Sequence, residues 1–305
     1  DGSAVPTLTG AQIASAVPEL RGFELTHIDF GQLPGPHMTL ERVLQLATHV
    51  RDALARGADG VVITHGTDTI EETAYLLDLL HHDPRPVVIV GAMRTSDDLS
   101  WDGPVNLFSG CLVAGDRTAQ NRGVMVVMNN TINAASEVTK TYTEAIDTFV
   151  SPDTGPLGIV DLRRVIFYRH PVSRARLPWV DTIRRVELIE ATSGCDGLLI
   201  DAACDAGCAG LVIAAMGRGN VPPPMFTAIE RAIARGVAVV VVSRCWGGRV
   251  APVYGYDGGG ARLMASGAVF APWLNGPKAR IALSLALAAG YDAQRLRVLF
   301  DWPMS

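Results

Sequence analysis

A chain of 305 residues, 48% of them hydrophobic, is long enough to bury the cores of two domains. Its 31 acidic against 26 basic residues, with no run of Lys or Arg, exclude the electrostatic footprint of a nucleic-acid or anionic-membrane binder. Apolar runs such as VAVVVVS near Val240 are strand-sized, far short of a bilayer span. In chain order, FELTHIDF (23–30) reads as a strand. Residues Thr39 to Arg56 read as a helix with Leu40, Val43, Leu44, Ala47, Val50 and Leu54 on one stripe. GVVITH, IEETAYLLDLLHH, PVVIVGA, PVNLFSGCLVAG and RGVMVVMN then alternate β-rich and helical patterns, the mark of a parallel α/β sheet. The runs VVIT and VVIV lack polar alternation, as strands covered on both faces do.

From Thr131 to Phe149 the chain is polar and hydroxyl-rich, SPDTGPLG then turns it, and one apolar stretch, GIVDLRRVIFYRHP, ends an N-terminal domain at 1–173. Residues 174–185, charged and without periodicity, read as a linker. A second, smaller α/β domain follows at 186–305, with strand patterns at VELIEA, GLVIAAMG and VAVVVVSR and helical ones at GLLIDAACDAG, PPPMFTAIERAIARG and GPKARIALSLALAAG. The expected class is therefore α/β, a parallel-sheet N-terminal domain with a smaller α/β C-terminal domain. The five cysteines read as small core residues, and Cys204 with Cys208 lacks the second Cys or His pair that a zinc site needs, so no metal is expected. The chain starts DGSAVPTLTG, without Met, which raises the expectation of residues before Asp1, a signal peptide among them.

The turn HGTDT, between a strand and a helix, crowds Thr67, Asp68 and Thr69 at the C-terminal edge of the sheet, where open α/β sheets bind ligands. Asp68 or Thr69, followed three positions later by Glu71 or Glu72, has the pattern of a capping box, and capping alone is one reading. Chemistry is the other, with Gly66 supplying the tight turn that lifts Thr67 above the sheet. A threonine hydroxyl needs a base before it becomes a nucleophile. His65 would point away if the strand geometry persisted, and His81 and His82 read as solvated. Lys140, the only lysine of the N-terminal half, sits in EVTKTYT and is the remaining candidate, although a loop lysine is ordinarily solvated.

VVITHGTDTIEETAYLLDL, PVVIVGAMRTSDDLSWDGPVNL, NRGVMVVMNNTINAASEVTKT and GPLG, in that order, resemble the L-asparaginase family of bacterial type. The resemblance implies an amidohydrolase that converts L-asparagine to L-aspartate and ammonia through a threonine nucleophile and an acyl-enzyme, with no metal or organic cofactor. It implies Thr67, Asp68 and Lys140 as a hydrogen-bonded catalytic group, with Lys140 as base and Asp68 holding both Lys140 and the substrate ammonium. Gly35, Pro36, Gly66 and Ala92 would line the substrate site, and Asn220 would reach it from a neighbouring subunit of a homodimer or homotetramer with shared active sites. Gly35 and Pro36 stand where the family has Ser and Gln, so the grip on the amino acid's charged groups is weaker. The family's first threonine, in a TGGTI strand, has no counterpart here. FELTHIDF then corresponds to the second strand, and roughly 20 to 35 upstream residues are expected to supply the first strand and the threonine that activity requires. A cytoplasmic location is implied, with the periplasm as the alternative if a signal peptide preceded Asp1. A glutaminase or related amidase, and a catalytically silent amino-acid-binding homologue, are the rival readings. A dinucleotide-binding dehydrogenase is set aside because no glycine fingerprint opens a helix in the N-terminal domain.

Overall fold

The computed structural model describes residues 9–172 and 174–301. It divides into two compact units, Asp1–Arg176 and Leu177–Ser305. The first contains α1 (Gly10–Ser15), α2 (Leu40–Ala55), β1 (Val61–Thr64), α3 (Ile70–Leu80), β2 (Val87–Val90), α4 (Gly103–Gly115), β3 (Val124–Met128), β4 (Thr131–Ala134), β5 (Thr139–Lys140), β6 (Phe149–Val150), β7 (Gly158–Asp161) and β8 (Arg164–Phe167). Its six-stranded sheet runs β1-β2-β3-β4-β7-β8. The first three strands are parallel, as helical crossovers require, and the remainder is an antiparallel meander. Every residue of β2 and β3 is buried, which explains why their sequences show no polar alternation.

The antiparallel half depends on two-residue turns. Asn129 and Asn130 both take positive φ, the geometry that a tight hairpin between right-twisted strands demands, and asparagine tolerates it. Leu162 and Arg163 do the same between β7 and β8, so the stretch GIVDLRRVIFYRHP is a hairpin rather than one strand.

FELTHIDF, expected as a strand, forms none: residues 23–30 have no ladder partner, and Leu25 and Ile28 are exposed. Alternating hydrophobicity makes a strand only where a neighbouring edge and a face are available. Among the described residues β1 is the edge of its sheet.

In the linker region, 174–185, there is neither helix nor strand. Its first residue, Arg174, is buried against Asp78 of α3 at 2.7 Å, and Leu177 and Val180 are buried too.

The second unit contains β9 (Val186–Glu190), α5 (Leu198–Asp205), β10 (Gly210–Ala215), α6 (Pro223–Ala234), β11 (Ala238–Ser243), α7 (Gly260–Ala265), β12 (Val269–Phe270), α8 (Gly276–Ala288) and α9 (Ala293–Phe300). Its sheet, β12-β11-β10-β9, is parallel throughout. Ile213, Val241, Phe226 and Ile229 pack in its core. Cys204 and Cys208 are buried free thiols there, and burial, with Cys204 adding to it, raises the Cys208 thiol to about 11. Cys245 departs from the expectation of a core residue: it lies exposed in the loop after β11, where no apolar face covers it.

Candidate active site

β1 ends at Thr64, and His65 adds one more ladder bond, its N–H donating to the Val90 carbonyl at 2.9 Å. The chain then leaves the sheet through Gly66 into a helical turn, Thr67–Thr69, that leads directly into α3. Gly66 is needed for closeness rather than for an unusual backbone: its φ is −68°, but a Cβ there would sit 2.9 Å from the Gly35 nitrogen. Gly91, just past β2, is crowded in the same way, since a Cβ would lie 2.8 Å from the His65 carbonyl oxygen and 3.1 Å from the Thr67 methyl. Two glycines thus let the 35–37 turn and the end of β2 close on Thr67.

No side chain caps this helix start, and the capping box expected from the sequence is not formed. Both candidate caps are engaged elsewhere. Thr69 Oγ1 donates to the Gly35 carbonyl at 2.9 Å, and Asp68 turns to Lys140. Lys140 Nζ lies 3.0 Å from Thr67 Oγ1 and 2.8 Å from Asp68 Oδ1. An amine thus bridges a hydroxyl and a carboxylate 73 and 72 positions before it in the chain, and the three form one hydrogen-bonded row. The Lys140 side chain is 14% exposed, whereas Asp68 is 61% exposed, so the row runs from a half-enclosed amine out to solvent. Lys140 belongs to the two-residue strand β5, not to a loop, and β5 pairs only with β6.

The histidines are accounted for. His65 donates from Nδ1 to the Gly66 carbonyl at 2.7 Å, which leaves Nε2 to accept from the Thr73 hydroxyl at 2.9 Å. Burial lowers its pKa, the Gly66 carbonyl opposing, so both ring nitrogens are occupied and the ring is held neutral. His81 is buried at the end of α3 rather than solvated, because Arg174 and Asp78 pack beside it and its Nε2 meets the Arg85 carbonyl at 2.8 Å. His82 is exposed.

Of the predicted substrate-lining residues, Gly35 is buried against the Thr67–Thr69 turn, Pro36 is exposed beside it, and Ala92 follows Gly91 at the C-terminal end of β2. Asn220 lies in the second unit, at the turn after β10. Its backbone exchanges bonds with Met216, and its Oδ1 accepts from the Gly260 N–H at 3.2 Å.

Sequence reasoning missed the groups that hold the Gly91–Arg94 segment beside Thr67. Asp102 looks like a helix N-cap of α4 but makes no cap bond. Its buried carboxylate instead accepts the N–H groups of Met93 and Arg94 at 3.0 and 2.9 Å. Asn106 donates to the Gly91 carbonyl and accepts from the Asn129 N–H, at 3.0 and 2.9 Å. The Gly91 N–H meets Met128 Sδ at 3.1 Å. The pairing DGPVN carried a hint, since Asn106 in the first turns of an apolar helix has no reason to be buried unless it is bonded. Among the described residues, no group of three or more His, Cys, Asp or Glu could hold a metal ion, and no helix is long and apolar enough to cross a membrane.

Residues 1–173 match the family described as Asparaginase, N-terminal, and residues 185–300 the Glutaminase/Asparaginase C-terminal domain. The chain is 40% identical to a probable L-asparaginase of Deinococcus radiodurans over 95% of its length and 89% of that protein's. It is 37% identical to a probable periplasmic L-asparaginase of Haemophilus influenzae, over 95% and 83%. The crystal structure of a probable cytoplasmic L-asparaginase from Campylobacter jejuni superimposes with a TM-score of 0.88 at 34% identity, covering 94% of this chain and 92% of that one.

Proposed function

The chain belongs to the asparaginase family, and we propose that it hydrolyses the side-chain amide of L-asparagine to L-aspartate and ammonia, with Thr67 as nucleophile. One observation carries the assignment of roles: a single amine, Lys140 Nζ, within hydrogen-bond reach of both the Thr67 hydroxyl and the Asp68 carboxylate. The unprotonated amine takes the Thr67 proton as Oγ1 attacks the amide carbon. The proton then passes to the departing nitrogen, which leaves as ammonia, and an aspartyl ester remains on Thr67. Water, deprotonated by the same amine, attacks that ester and releases aspartate. As the first residues of a helical turn, Thr67 and Asp68 present backbone N–H groups without intrahelical acceptors, the donors suited to the oxyanion of each tetrahedral intermediate.

Residues 1–173 carry this chemistry in our reading, 174–185 connect, and 186–305 form the second domain. Asp68, still 61% exposed while bonded to Lys140, has a free lone pair for the substrate ammonium. Gly35, Pro36, Gly66 and Ala92 border the amino-acid site, and Asn220 completes it from a neighbouring subunit in a homodimer or homotetramer. The cytoplasm is the location we favour, as in the name of the Campylobacter jejuni structure, with the periplasm of the Haemophilus influenzae relative as the alternative. Glutamine hydrolysis is the less favoured reading, since the relatives at 40% and 37% identity carry asparaginase names.

Replacing Lys140 by Met removes the amine and leaves a chain of similar length. Ammonia release from asparagine should fall by about a hundredfold or more, with thermal melting within a few degrees of the parent. Near-normal turnover in the variant would overturn the assignment of Lys140 as base.

A further inference from the structure

Strand β5, which carries Lys140, is two residues long and belongs to a separate two-stranded sheet, with Lys140 paired to Phe149 and Thr139 to Val150. Such a short ribbon cannot fix its own position. Val138 and Phe149 are buried and set its depth, and on the β5 side the Val138 N–H donates to the Ala134 carbonyl of β4 at 3.0 Å; apolar burial, being non-directional, does not by itself fix the β6 side. A cleft of about 240 Å³, lined by Met128, Asn129, Asn133, Val150 and Ser151 among others, borders the β6 strand.

The directional tie on the β6 side comes from the side chain of Asn133 of β4, which is 1% exposed. Its Nδ2 donates to the carbonyl of Phe149 at 3.3 Å, and its Oδ1 accepts from the hydroxyl of Ser151, itself 4% exposed, at 2.9 Å. The Ser151 bond fixes which way the amide faces, and the Nδ2 bond then holds the ladder partner of Lys140 to the main sheet.

We infer that Asn133 is a positioning residue: through Phe149 and Ser151 it sets where the β5–β6 ribbon lies, and hence the distance from Lys140 Nζ to Thr67 Oγ1. The inference rests on the reading of Lys140 as base. A misplacement on the order of 1 Å at such a base can cost about a hundredfold in rate while leaving substrate binding almost untouched.

The chain has two lysines, Lys140 and Lys278, so protein labelled with ¹³C at the lysine ε-carbon gives two signals that the Lys140→Met variant assigns. In the full chain, Asn133→Leu should lower kcat for asparagine by roughly tenfold to a hundredfold with KM within about twofold, and should move the Lys140 signal while the Lys278 signal stays. Ser151→Ala, which frees the amide without removing it, should shift both readouts in the same direction by less. If Asn133→Leu does not fold, Ser151→Ala carries the test. A lost melting temperature with kcat per folded molecule and the Lys140 signal unchanged would mean that Asn133 only satisfies buried groups, and the inference would fall. If the parent releases no ammonia but the Lys140 signal moves in the variants, the amidohydrolase reading fails and the positioning role stands.

Discussion

Two strand-to-helix turns, one in each unit, each follow a parallel strand, β1 at the edge of its sheet among the described residues and β10 inside its own, and use their polar atoms in opposite ways. After β10, the Met216–Asn220 turn closes on itself with reciprocal backbone bonds, takes positive φ at Gly217 and Gly219, and uses the Asn220 side-chain oxygen on its own domain's Gly260. After β1, Thr67–Thr69 takes no positive φ, and its Thr67 and Asp68 side chains meet a lysine from a remote strand. The first turn is satisfied within a single loop. The second is held in place while its Thr67 hydroxyl oxygen faces an amine rather than a backbone donor. A parallel sheet supplies the location, and the partner of each side chain decides whether the location can do chemistry.

The comparison breaks most decisively if the β10 turn also serves the site. Asn220→Ala and Thr67→Ala are each expected to be inactive alone, and mixing them should restore a large fraction of parental ammonia release once subunits exchange. Recovery would show that Asn220 acts across a subunit boundary in addition to its Gly260 bond. No recovery after exchange verified by mass spectrometry would leave it a turn residue only.

A smaller effect separates the units by pH. All seven histidines lie in the first unit, and burial lowers the pKa of both His65 and His81 below 6.5. The unfolded chain therefore takes up protons that the folded unit refuses. The stability these two contribute is complete above pH 6.5 and is lost as the pH falls from there toward the folded-state values. Hydrogen exchange, corrected for its intrinsic pH dependence, should show α3 losing protection between pH 7 and pH 5 more than α6 does. A double His65→Gln, His81→Gln variant should narrow that gap. Equal losses in both units would remove these histidines from the acid response.

The smallest effect tests the wall of the β1 turn. A Cβ at Gly35 would meet the Gly66 carbonyl oxygen at 3.3 Å and Thr69 Oγ1 at 3.4 Å, so Gly35→Ser fits only if the turn yields by a few tenths of an ångström. The added hydroxyl should still lower the Michaelis constant for asparagine by about threefold through a hydrogen bond to a charged group. An unchanged or higher constant would show that the Gly35 backbone already serves the substrate.

What the sequence revealed follows the length of the contacts involved. β2, β3 and the helices beside them were legible because burial on both faces leaves an apolar run that needs no knowledge of neighbours; β1 gave the same kind of apolar run although it is only partly buried. The β7–β8 hairpin was not, because its two positive-φ positions are Leu162 and Arg163 instead of the Asn or Gly that would mark the turn. FELTHIDF misled in the other direction: alternation alone does not dock a segment, and residues 23–30 form no strand although β1 is the edge of its sheet among the described residues. At the site, Thr67 and Asp68 stood out by their place in a turn and Lys140 as the only lysine of the N-terminal half, but it took the resemblance to join the three in one group. Asp102 and Asn106 gave only the hint of a polar pair at the start of an apolar helix and Asn133 gave none, because the partners that reveal a buried polar side chain lie 8 to 23 positions away.

The Leu162–Arg163 turn has a consequence for engineering. Leu162 is 88% exposed, so it buries almost nothing in return for holding a left-handed backbone, a conformation that disfavours residues with a Cβ by roughly 1–2 kcal/mol. The turn joins β7 to β8, which lie four and five strands beyond β1, the strand that leads to Thr67. Asparagine and glycine in its place would relieve that strain without altering Thr67, Asp68, Lys140 or anything bonded to them. The hairpin is thus a reserve of thermostability that selection for activity has had no reason to draw on.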